Sequence, residues 1–173
     1  MVQAYRMDHV GSLLRPKKLL DARHAHLSGK LSLAELRAVE NAAIDDVIAM
    51  QRAAGIEVVS DGEFRRMSWM AAPYAFLGGL QRDNTSLFNT GRLWHGSHEA
   101  EEEANRETPV DWAIAVDKLY LKERLTGAET GFLKTHSRGP YKITMPGPTI
   151  LLPLFRPGAS EKAYKNAQAL LDD

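Results

Sequence analysis

The chain has 173 residues, 44% hydrophobic and 25% charged, the composition of an ordinary globular protein with enough material for one core. Its 22 basic and 22 acidic side chains cancel, so no basic field draws it to nucleic acid or to an anionic membrane surface. It contains no cysteine, which excludes disulfides, a thiolate nucleophile and thiolate metal ligands from this chain. No apolar run approaches the roughly 20 residues of a membrane span. The N-terminus "MVQAYRMDHV" lacks the basic-then-apolar layout of a signal peptide, so the expected location is the cytoplasm.

In chain order, Ala4 to Asp8 predicts a strand running into His9-Val10-Gly11-Ser12. His24 and His26 follow on a first helix, where positions i and i+2 do not face each other and do not share a metal. Ser32-Leu33-Ala34-Glu35 is a capping box. Leu36, Val39, Ala43, Val47, Met50 and Ala54 continue it at helical spacing, predicting a helix from Ser32 to Ala54 stopped by Gly55. Ile56 to Val59 is short, apolar and rich in β-branched residues, which predicts a strand buried on both faces.

Residues 81–127 interrupt the alternation of helix and strand with polar residues, a turn at Asn89-Thr90-Gly91 and the solvated acidic run Glu99-Ala100-Glu101-Glu102-Glu103. They predict a β-ribbon-like insertion pairing "RLWHG" with "KLYLKERL", with a helix from Asp111 to Arg124 as the alternative. His95-x-x-His98-Glu99 has a metal-like spacing but falls within this insertion. Beyond it, Glu129 to Arg138 predicts a short helix stopped by Gly139. Tyr141 to Met145 predicts a strand broken by Pro146-Gly147-Pro148. The ending "SEKAYKNAQALLDD" reads as one more helix, cut short.

Three turns carry the candidate chemistry: "HVGS" at His9 to Ser12, "SDGEFRR" at Ser60 to Arg66, and "MPGPT" at Met145 to Thr149. Each follows the carboxyl end of a candidate strand, the edge at which parallel α/β folds bind ligands. Gly11 and Gly62 let backbone amides approach a ligand, and Ser12 adds a hydroxyl, which suits a carboxylate or phosphate. Glu63 points to an ammonium partner, with a rim ion-pair network alongside Arg65 and Arg66 as the competing reading. His9 stands beside the first glycine and joins Gly11, Ser12 and Glu63 as a candidate binding residue.

"HVGSLLRP" at His9 to Pro16, "GIEVVSDGEFRR" followed by Trp69, and "PYKITMPGPT" at Pro140 to Thr149 together resemble the cobalamin-independent methionine synthase family. The likeness is to its short single-barrel members, which correspond to the C-terminal catalytic domain of the full-length synthase, and the motifs occur in the family's order. The resemblance implies an α/β fold: residues 1–173 would be the N-terminal part of one TIM (β/α)8 barrel, about its first three β/α units, with 81–127 inserted. It implies methyl transfer from a methylated tetrahydrofolate to homocysteine through zinc, with Gly11, Ser12 and Glu63 contacting the amino-acid portion. The family's zinc is held by His, Cys, Glu and Cys ligands from later strands, and this chain has no cysteine to offer. A TIM barrel takes about 250 residues, so a complementing C-terminal half or self-association is the expected partner. The alternatives are a non-catalytic module binding a partner or an amino acid, and part of a related barrel alkylating another thiol such as coenzyme M.

Overall fold

A computed structural model describes residues 9–66, 76–83, 112–145 and 147–173. The candidate strand at Ala4 to Asp8, Trp69, Pro146, the Asn89-Thr90-Gly91 turn, the acidic run and both His95 and His98 lie outside the described residues. The described helices are α1 (Lys17–Leu27), α2 (Leu33–Ala53), α3 (Gly127–His136) and α4 (Ala167–Leu171); the described strands are β1 (Leu77–Asp83) and β2 (Trp112–Leu121). The chain divides into two compact units, residues 1–66 with 126–145 and residues 67–125 with 146–173.

In the first unit, α2 starts on the predicted capping box: the Ser32 hydroxyl accepts from Glu35 N, and the Glu35 carboxylate accepts from Ser32 N at 2.8 Å. The buried face of α2 is rotated from the predicted stripe and comprises Leu36, Glu40, Ile44, Val47, Ile48 and Gln51, while Met50 is 55% exposed. Two polar residues sit in that face because each is fully occupied. Glu40 accepts from Arg37 at 2.5 Å and Arg65 at 3.3 Å. The Gln51 amide donates to Ser60 O at 2.8 Å and accepts from Ser60 N at 2.9 Å. Leu19, Ile44, Val47, Ile48, Val59, Phe64 and Leu133 form the core of the unit.

The two strands predicted at Ile56 to Val59 and Tyr141 to Met145 are present only as isolated parallel bridges, Val59 with Tyr141 and Ser12 with Gly62. The segment around residues 59–62 thus lies between the other two, running parallel to both. Hydrogen-bond accounting explains why no ladder extends from these bridges. Arg52 donates to the carbonyls of Ile56 and Glu57, and Gln51 takes both backbone groups of Ser60, so side chains satisfy what a neighbouring strand otherwise would.

In the second unit, β1 and β2 pair antiparallel, Leu77 opposite Leu121 and Asp83 opposite Trp112. A ribbon therefore forms, with 77–83 as the partner of β2; "RLWHG" lies outside the described residues, and 112–121 is strand rather than the alternative helix. Gly79 at φ 84° sits in the register shift between Gly78 and Leu80. Tyr120 lies over Gly78, where any Cβ would come within 2.0 Å of its ring. Ala113, Ala115, Leu154, Tyr164 and Leu170 form the core of this unit. The tail is not one helix: Asn166, in extended backbone, caps α4 by accepting from Ala169 N at 2.9 Å, and that cap breaks the continuity.

Candidate active site

The turn Asp61 to Arg66 begins where Val59 makes its bridge and is almost wholly buried. Gly62 and Glu63 both adopt left-handed backbone, at φ 68° and 60°. For glycine this is free; for glutamate it costs about 1 kcal/mol or more, so the surroundings must hold it. Asp61 Oδ1 accepts from Glu63 N at 3.0 Å, the side-chain turn that an Asp-Gly pair favours. Arg15 Nη2 donates to the carbonyls of Glu63 and Arg66, each at 3.1 Å, and Arg23 Nη2 donates to Phe64 O at 2.5 Å. Phe64 turns inward to the core and closes over Gly62.

The Glu63 side chain is 7% exposed. Its Oε1 accepts from the Thr144 hydroxyl at 2.6 Å and lies 3.5 Å from Arg66 Nη1, whereas Oε2 is buried and has no hydrogen-bond partner among the described residues. Arg66 continues to Glu129 at 3.1 Å. The charged groups around the turn are three carboxylates, Asp61, Glu63 and Glu129, and three guanidiniums, Arg15, Arg23 and Arg66. Desolvation lowers the Arg15 guanidinium below its ordinary value against the opposing pull of Glu63 and Asp61. A buried carboxylate oxygen without a hydrogen-bond donor is costly, and a cationic donor is the partner that best satisfies it.

Gly11 is buried at φ 120°, and a Cβ there would lie 2.9 Å from the Thr144 methyl, so only glycine fits. Ser12 is exposed and pairs with Gly62, which brings the first turn alongside the second. His9 Nε2 donates to Val58 O at 3.2 Å. His9 Nδ1 is buried without a partner among the described residues, and Lys142 donates to the His9 carbonyl. All four residues singled out in the sequence thus stand on two adjoining turns; of the ion-pair network weighed against Glu63 as a ligand, Arg66 faces Glu63 whereas Arg65 does not pair with it. Arg65 holds Glu40 and stacks over Phe132.

Sequence reasoning missed Thr144, Asp61, Arg15 and Glu129. Asp-Gly signals a turn, but nothing in a linear pattern says that Arg15 spans to carbonyls 48 and 51 positions later. The structure-defining role of Asp61 has an energetic signature. Burial, as the main cause, raises its pKa above the ordinary 3.8. The ionised form is then the less stable one in the fold; the penalty is absent below the unfolded value and grows as pH rises through the folded value. Asp61→Asn, which keeps the acceptor for Glu63 N, is expected to raise the thermal midpoint at pH 7, with the advantage vanishing below about pH 4. An advantage independent of pH in melting curves would contradict this.

Among the described residues no group of three or more His, Asp or Glu side chains is placed to hold a metal, and no helix is long and apolar enough to cross a membrane.

Comparison with known proteins identifies the class first through the fold. The chain superimposes with a TM-score of 0.63 on the crystal structure of a protein provisionally named a vitamin-B12-independent methionine synthase, from Listeria monocytogenes, at 24% identity over 99% of this chain and 50% of that one. In sequence it is 36% identical over 170 residues to the uncharacterized protein YxjH of Bacillus subtilis, covering 98% of this chain and 41% of that protein. It is 26% identical over 134 residues to a methionine synthase of Sulfurisphaera tokodaii, covering 78% of this chain and 38% of that protein. No known family profile matches. Distant relatives named methionine synthase and the shared fold support the resemblance carried by the three motifs. It spans about two fifths of the length of the curated relatives it matches.

Proposed function

We propose that the chain carries the amino-acid-binding portion of a methionine-synthase-like methyltransferase, with homocysteine as the amino acid and a methylated tetrahydrofolate as methyl donor. One observation carries this reading: the buried Glu63 carboxylate keeps Oε2 without a hydrogen-bond partner among the described residues, which an α-ammonium group would satisfy. Gly11, Ser12 and His9 on the adjoining turn supply N–H, hydroxyl and imidazole groups for the rest of the amino acid. In chain order, the parallel segments at Ser12, Val59 and Tyr141 support reading this unit as the opening β/α units of a TIM barrel.

Zinc does not fit the residues present. With no cysteine in the sequence, the family's His, Cys, Glu and Cys set is not available from this chain, and the described residues contain no cluster of three donor side chains in its place. The chemistry therefore needs the part of the fold that the longer relatives possess. An apolar groove of about 540 Å³ on the first unit, lined by Leu13, Leu14, Val39, Ala43, Met50 and Phe64 among others, supports such a complement. Leu14 is 94% exposed there.

Methyl transfer to homocysteine is to be measured for the chain alone and with a complementing C-terminal half. Turnover only in the second case is expected. Turnover by the isolated chain with bound zinc would contradict the account of the missing ligands.

A further inference from the structure

Thr144 was read in the sequence only as part of a strand before a Pro-Gly-Pro stop, yet it is the residue on which the turns converge. Its hydroxyl donates to Glu63 Oε1 at 2.6 Å. Its methyl sits where a side chain on Gly11 would otherwise go, with only 2.9 Å between Cγ2 and a Cβ built at that position. The bond matters because of what it leaves over. A carboxylate has two oxygens, and a freely rotating one would offer either to a ligand or to Arg66. With Oε1 held by Thr144 and faced by Arg66 Nη1 at 3.5 Å, Oε2 is the carboxylate oxygen without a partner among the described residues. The backbone does the rest: Asp61 and Arg15 fix the left-handed turn, so the carboxylate has few other rotamers to escape into.

We propose that Thr144 is a positioning residue for ammonium recognition, acting through Glu63 by engaging one carboxylate oxygen so that the other is presented to the ligand. The inference rests on the amino-acid reading of the site and deepens it. It assigns Thr144 no contact with the ligand. The hydroxyl is the working group; the methyl serves packing against Gly11.

The test is a double-substitution cycle on the full chain, with homocysteine as the probe and calorimetry as the readout. Thr144→Val keeps the shape and removes the hydroxyl; it is expected to weaken homocysteine binding about fivefold to tenfold. In the Glu63→Gln background the same change is expected to have almost no effect, because the contact it serves is already gone. Thr144→Ser restores the hydroxyl without the methyl and is expected to bind within about twofold of the unsubstituted chain. Losses that simply add in the double variant, or a serine variant as weak as the valine one, would overturn the positioning role while leaving the amino-acid reading intact. Failure of the unsubstituted chain to bind homocysteine would instead overturn that reading, and this inference with it.

Discussion

Glu63→Gln is expected to weaken homocysteine binding roughly 30- to 100-fold, about 2–3 kcal/mol, the range for losing a charge-assisted hydrogen bond at a buried site. The substitution keeps size, retains an acceptor for Thr144 and removes only the negative charge and one acceptor lone-pair set. An amide nitrogen in place of Oε2 would face the α-ammonium donor to donor. Because the carboxylate is 7% exposed, solvent screens little of the change. The fold should tolerate it better than the ligand does. Arg66 keeps Glu129 at 3.1 Å, and the left-handed turn keeps its anchors on Asp61 and Arg15.

Phe64→Ala has the largest expected effect on stability, a loss of about 3–5 kcal/mol, the cost of emptying a core aromatic site. Phe64 is 2% exposed and packs with Leu19, Ile44, Val47, Ile48, Val59 and Leu133. It also immediately follows Glu63, so the side chain that anchors the core and the one proposed to meet the ligand leave the backbone at consecutive positions. Denaturant unfolding measures the loss. A change below about 1 kcal/mol would contradict the placement of this ring in the core.

Local signals explain what could be read in advance. The capping box at Ser32 and Glu35 determines where α2 begins, because both groups of the pair lie within one turn. Asp-Gly marked the turn at 61–62, and a glutamate directly after it stood out by position alone. What escaped depends on distant partners. The stripe on α2 was misjudged because Glu40 and Gln51 become interior residues only through Arg65 and Ser60. The β1 sequence "LGGLQRD" carries two glycines and a bulge, so it shows no alternation, and its pairing with β2 spans a long separation. Thr144 was hidden for the same reason, since its partners Gly11 and Glu63 come from two other motifs.

The strands that failed to extend are instructive for the site. A regular ladder would use the backbone of residues 56–60 for its own pairing. Here Arg52 and Gln51 take those groups, leaving the Gly62–Glu63 turn beside Ser12 at the end of a short parallel contact. The buried charges are then carried by a few side chains rather than by sheet hydrogen bonds, which makes them sensitive to single substitutions.

The central proposal is that this chain binds an α-amino acid through Oε2 of Glu63, which has no partner among the described residues. Isothermal titration of homocysteine into the unsubstituted chain and into Glu63→Gln, side by side in one buffer, tests it most directly. The account predicts saturable one-to-one binding to the first and roughly 30- to 100-fold weaker binding to the second. Equal affinity for both, or no binding to the unsubstituted chain, would contradict it.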